Sequence, residues 1–126
     1  MPGRANEIAI GGLNDDIYAI GTNAVEGGYG IYSWNGDSWT RLAGGATKIS
    51  VGSYNLDDQV ITIPVIATED CEFYFMWENE WINVPFPRPV SECDVAHGPE
   101  GSFYIIADNK IYKWNYETEE FVDMGG

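Results

Sequence analysis

The sequence predicts an all-β chain made of three consecutive four-stranded antiparallel units, and three observations carry that prediction. Short apolar and aromatic runs alternate with turn residues, and no stretch keeps a helical period. Fifteen glycines and an aromatic share of 14 % suit short strands joined by many turns. One four-strand signature then occurs three times along the 126 residues.

The first strand of the signature reads Ile8–Gly11, Ile49–Gly52 and Cys93–Ala96. The second reads Ile17–Ile20, Val60–Ile63 and Phe103–Ile106. The third is an apolar residue, an aromatic, any residue and Trp: Ile31–Trp34, Tyr74–Trp77 and Ile111–Trp114. The fourth opens on Trp39, Trp81 and Phe121. These marks divide a single 126-residue domain into repeats of approximately 7–48, 49–91 and 92–126, each most simply a meander of hairpins.

The connections are unequal. Asn35-Gly36, between two β-rich runs, predicts a two-residue primed turn, which needs positive φ. Strands two and three are separated by a long loop, Gly21–Gly30, in the first repeat and by one near Val65–Asp70 in the second; the third has only Asp108-Asn109. Alternating prolines at Pro85, Pro87 and Pro89 hold an extended connector between repeats two and three, with a proline-rich ligand segment as the other reading. Val60–Ile63, Phe73–Trp77 and Phe103–Ala107 are almost wholly apolar, as expected of strands covered on both faces.

A net charge of −14 sets the long-range field against nucleic acid and anionic membranes and describes a solvated acidic surface. No apolar run approaches the ~18 residues of a membrane-spanning helix. No basic segment leads into an apolar one as in a secretory signal, and no compartment follows from the sequence. Cys71 and Cys93 allow one bridge and lie in no metal-ligand spacing; the single histidine, His97, excludes any site that needs two.

Ile49–Gly52, Ile31–Trp34, Asn35-Gly36, Trp39 and Leu42–Gly45 together resemble the tectonin repeat of tectonins and related tachylectin-like β-propeller lectins. The resemblance is good over repeat one and into repeat two. Trp114–Phe121 in repeat three looks as much like a kelch-type blade. The resemblance implies one four-stranded blade per repeat and, in many members, carbohydrate binding without catalysis. Propellers close with four to eight blades, so three blades imply either two copies in a six-bladed ring or an open, even filamentous, assembly. The alternative fold is a monomeric β-trefoil, which has the same count of strands.

In such a blade the two-to-three loop and the blade-to-blade crossing emerge on one face. That face collects Thr22, Asn23, Glu26, Tyr29, Lys48, Thr68, Glu69, Asp70, Arg88, Asp108 and Asn109. Asn23, Glu26, Tyr29, Glu69, Asp70, Arg88, Asp108 and Asn109 are the candidate glycan contacts, because amides, carboxylates and aromatics pair with sugar hydroxyls. Trp34, Trp39, Trp77 and Trp81 could stack on sugar rings, but at repeat-fixed positions they read as wedges between blades. Asn14–Asp16 and Asn55–Asp58 offer oxygens for Ca²⁺. Asx-rich turns explain both stretches without metal, and no cofactor is expected. Cys71 and Cys93 fall near the same face, so a disulfide is geometrically possible. Asp94, His97 and Ser102 are neighbours in sequence but lack a nucleophile motif. The chain therefore reads as a glycan-binding protein that self-associates, most simply as a dimer. The alternative is a structural or protein-binding module that assembles through open blade edges.

Overall fold

The computed structural model describes residues 5–11, 16–56, 58–78, 80–86, 89–98 and 102–124. These form strands and no helix, in three separate four-stranded antiparallel sheets. The first sheet is β1 (Glu7–Gly11), β2 (Asp16–Val25), β3 (Gly28–Trp34) and β4 (Trp39–Ala46). The second is β5 (Lys48–Leu56), β6 (Gln59–Ala67), β7 (Phe73–Trp77) and β8 (Glu80–Val84). The third is β9 (Cys93–His97), β10 (Phe103–Ala107), β11 (Lys110–Asn115) and β12 (Glu120–Asp123). Spatial order follows chain order in each, so every repeat is a meander. Because no strand is shared between sheets, the trefoil alternative, which needs a common barrel, is corrected.

The sheets stack like propeller blades around their first strands, β1 beside β5 and β5 beside β9, without closing into a ring. Ile20 and Ile31 of the first sheet meet Ile49, Val51 and Ile66 of the second in one buried cluster. Ile63, Val65 and Phe73 of the second meet Val95, Phe103, Ile105 and Trp114 of the third in a larger one. The second sheet is thus covered on both faces, as its apolar strands require. In β10, however, Phe103, Ile105 and Ala107 are buried while Ile106 is exposed, on the face turned away from the second sheet.

Glycines set the spacing. A Cβ at Gly11 would collide with the Val51 carbonyl and one at Gly52 would sit 2.6 Å from Cγ of His97, so both positions let the next first strand approach. In each repeat the residue entering the first strand is tied to the second: Asn6 to Gly21 within β2, Thr47 to Ala67 at the end of β6, and Ser91 with Glu92 to Asp108 just past β10. That tie brings the crossings and the two-to-three turns to one rim. Phe86, from the proline connector, is half-buried between the second and third sheets, 4.9 Å from Tyr112 and 5.5 Å from Phe121 by ring centroids. It anchors the segment as a connector.

Three local expectations change. Asn35-Gly36 is not a two-residue turn: Trp34 pairs with Trp39 across a four-residue loop in which Gly36, but not Asn35, has positive φ. The Asn35 side chain instead accepts from the amides of Asp37 and Ser38, an Asx turn. Asn115 repeats the device with Glu117 and Thr118. The long first loop is mostly strand, since β2 and β3 continue to a turn at Glu26-Gly27, with extra residues absorbed as a bulge between Ile20 and Ala24. Asp108 and Asn109 do form the tight turn, both with positive φ.

The third change concerns repeat two. Trp34 and Trp114 point back along the stack, toward the preceding position. Trp77 points forward and packs into the cluster shared with the third sheet. Tyr74, the counterpart of Ile31 and Ile111, pairs with Ile66 rather than Ile63, and such an odd shift exchanges the faces of a strand, so it turns toward the first sheet.

Candidate functional site

A cleft of about 370 Å³ opens on the rim between the first and second sheets. Gly27, Gly44, Gly45 and Ile66 line it beside the aromatic rings of Tyr74 and Trp81, and its polar lining is Glu26, Thr68, Glu69, Asp70 and Glu72. Three local devices hold it in shape.

The first is a bulge in β4. Gly30 pairs with Gly45 and Ile31 with Leu42, which leaves Ala43 and Gly44 outside the ladder. Gly44 takes φ +82, and Arg41 donates to the carbonyls of Leu42 and Gly44. The Ala43 carbonyl that the bulge sets free accepts Nε1–H of Trp81 at 2.8 Å. The indole is thereby oriented by its only donor, and its ring lies over Gly44, 3.8 Å from where a Cβ would be.

The second device joins the two turns. The Glu69 amide donates to the Gly27 carbonyl at 2.8 Å, so the loops carrying Glu26 and Glu69 move as one. The third is the Thr68–Glu72 loop. The Glu72 amide donates to Thr68 Oγ1, and the loop is pinned beneath by the Cys71–Cys93 disulfide, Cα–Cα 5.8 Å, which ties it to β9 of the third sheet. Tyr74 donates its hydroxyl to Glu72 at 3.1 Å. Burial raises the Tyr74 pKa first and the Glu72 hydrogen bond adds to it, so the phenol stays protonated.

The candidate residues from the sequence divide. Glu26, Glu69 and Asp70 meet in the cleft, with Thr68. Asn23 is on β2 on the opposite face of the first sheet, where it accepts from the Tyr32 hydroxyl. Tyr29 is half-buried against the cluster between the first two sheets. Asp108 caps the start of the third repeat: its Oδ1 accepts from Ser91 N, Ser91 Oγ and Glu92 N. Asn109 is exposed in its turn, in the third repeat. Arg88 lies outside the described residues, as do Asn14, Asp15 and Asp57 of the calcium candidates. Among the described residues no group of three or more His, Cys, Asp or Glu side chains is arranged to hold a metal.

A stretch of 50 residues, 40 % of the chain, is 42 % identical to Tectonin-2 of Physarum polycephalum. The match spans 13 % of that protein's length. No family model matches the chain. The matched length is a little more than one repeat.

Tyr74, Glu72, Gly44 and Gly45 were not legible as site residues, and of the two readings the sequence offers for Trp81, sugar stacking and a wedge, it favours the wedge. Trp81 is both wedge and cleft wall. Trp77 is a wedge against the third sheet. Trp34 and Trp39 are not: they lean on each other, ring centroids 5.2 Å apart, on the open face of the first sheet. The Asp94–His97–Ser102 neighbourhood is not assembled as a charge relay. His97 Nδ1 meets Ser50 Oγ at 2.8 Å, and Asp94 Oδ1 accepts from the adjacent Val95 amide.

Proposed function

We propose that the chain is a non-catalytic glycan-binding protein whose principal site is the cleft between the first two sheets. The observation that carries this reading is the gathering of Trp81 and Tyr74 with Glu26, Glu69, Asp70 and Glu72 in one cleft. A sugar ring presents a C–H face to an aromatic and hydroxyl donors at its edge, and this lining supplies an acceptor-rich counterpart to both. Four carboxylates in one cleft, on a chain of net charge −14, disfavour acidic sugars and favour neutral or amine-bearing ones. The similarity to a tectonin and the blade-like sheets support a lectin-type role.

A glycan array with folded protein tests the reading: selective signal on neutral or amino sugars is expected, and silence across all sugars refutes it. Asp70→Asn should weaken binding about tenfold, the loss of one charge-assisted hydrogen bond, while leaving the melting temperature unchanged. The second reading, a module built for assembly, is favoured by the exposed apolar side chains on the outer faces of the first and third sheets, Ile8, Ile10, Ile106 and Ile111. Those groups lie on blade faces rather than on the outer strand edges.

A further inference from the structure

The two outer faces of the stack are the two halves of a contact that the chain already makes twice. Each sheet has a back face, toward the preceding sheet, and a forward face, toward the following one. On the back faces Ile49 and Val51 are 4 % and 8 % exposed beneath the first sheet, whereas their counterparts Ile8 and Ile10 are each 59 % exposed. On the forward faces Ile20 and Ile63 are covered at 0 % and 1 %, whereas their counterpart Ile106 is 44 % exposed. Pairing puts Ile111 directly across from Ile106, as Ile31 is from Ile20. Ile106 and Ile111 both line a largely apolar hollow of about 200 Å³, together with Val95, Ala96, Tyr104, Ile105 and the single carboxylate of Asp94.

From this we infer that two copies associate head to tail, the forward face of the third sheet of one copy against the back face of the first sheet of the other, closing a six-bladed ring. The surface is specific because it repeats an interface already present within the chain. Gly11 and Gly52 admit the next first strand, and the third position is Ala96, exposed and with only a methyl group to accommodate. Six is the only multiple of three among the four to eight blades with which propellers close. A head-to-tail contact otherwise grows without limit. Two copies of charge −14 repel, so the contact strengthens with salt. The inference rests on the fold and stands whether or not the Trp81 cleft takes a glycan.

Sedimentation equilibrium at about 0.15 M salt on the wild type, Ile10→Lys and Ile106→Lys tests it. Both substitutions are at exposed positions, and circular dichroism checks that each variant is folded. The expected result is twice the chain mass for the wild type and the single-chain mass for each variant. An equimolar mixture of the two variants restores one of the ring's two contacts, between the intact forward face of the Ile10→Lys copy and the intact back face of the Ile106→Lys copy, and should show a two-copy fraction that neither variant shows alone. A monomeric wild type, a two-copy mass that survives in either variant alone, or a ladder of larger masses overturns the head-to-tail ring.

Discussion

Lowering the pH from 7 to 5 should cost this fold about 2 kcal/mol through one side chain, His97. Its ring is mostly buried between β5 and β9, fitted against Gly52, with Nδ1 on Ser50 Oγ and Nε2 without a hydrogen-bond partner among the described residues. Burial lowers its pKa from 6.5 to about 4; the nearby Ile63 carbonyl pulls weakly the other way. The folded chain therefore binds fewer protons than the unfolded chain across that interval. Stability from this group is whole above pH 6.5 and is lost as the pH falls toward about 4. Linkage over the shift gives about 2 kcal/mol at pH 5 and about 3 kcal/mol by pH 4. That is a large part of the ~5–15 kcal/mol typical of a domain.

Denaturant unfolding of the wild type and of His97→Gln at pH 7, 6 and 5 measures it. Gln does not titrate, so the stability advantage of the wild type over the variant should shrink by about 2 kcal/mol between pH 7 and 5. Glu7, whose pKa burial raises against the opposing pull of the Ile49 amide and Lys48, gains stability as pH falls. It is present in both proteins and cancels in the difference. Because His97 is the single histidine, its ring protons also report the titration directly by NMR. A pH-independent difference between the proteins, or a folded-state midpoint near 6.5, refutes the reasoning.

Two further outcomes follow from the geometry. Gly11→Ala places a Cβ against the Val51 backbone, 2.9 Å from its carbonyl carbon, where neither strand can yield without parting the first two sheets. It should cost about 2 kcal/mol, a fall of roughly 8 °C in Tm by calorimetry; an unchanged Tm would show that the sheets slide freely. Reducing Cys71–Cys93, or replacing both by Ser, removes a cross-link of sequence separation 22. The loss should be about 3 kcal/mol, seen as roughly 10 °C in Tm with and without reductant, and the Thr68–Glu72 loop should become more sensitive to protease.

The twelve strand positions were legible because a strand's local pattern is carried by neighbouring residues, and each repeat restates it. Glu26, Glu69 and Asp70 were legible as a group because meander topology alone sends those turns to one rim. Tyr74 was not, since its direction depends on a three-residue shift in the pairing of β6 with β7, Ile66 rather than Ile63 facing Tyr74, that leaves the third-strand motif unchanged. Nothing in the sequence set Trp81 apart from the other repeat tryptophans as a cleft wall, because its orientation depends on a carbonyl released by a bulge 38 residues earlier in the chain. Asn23 and Asp108 carry the right chemistry, but their hydrogen-bonding groups have local partners.

By itself, then, the amino-acid sequence determined the repeat, the all-β class, the order of strands and the acidity of the surface. These are properties of short segments and of sums over residues. Tertiary structure decided which face each side chain takes, which loops share a cleft, that the two cysteines pair, and that the stack ends in two apolar faces. Those outcomes depend on register, bulges and the close approach of sheets, where a single glycine or a one-residue slip redirects a whole strand.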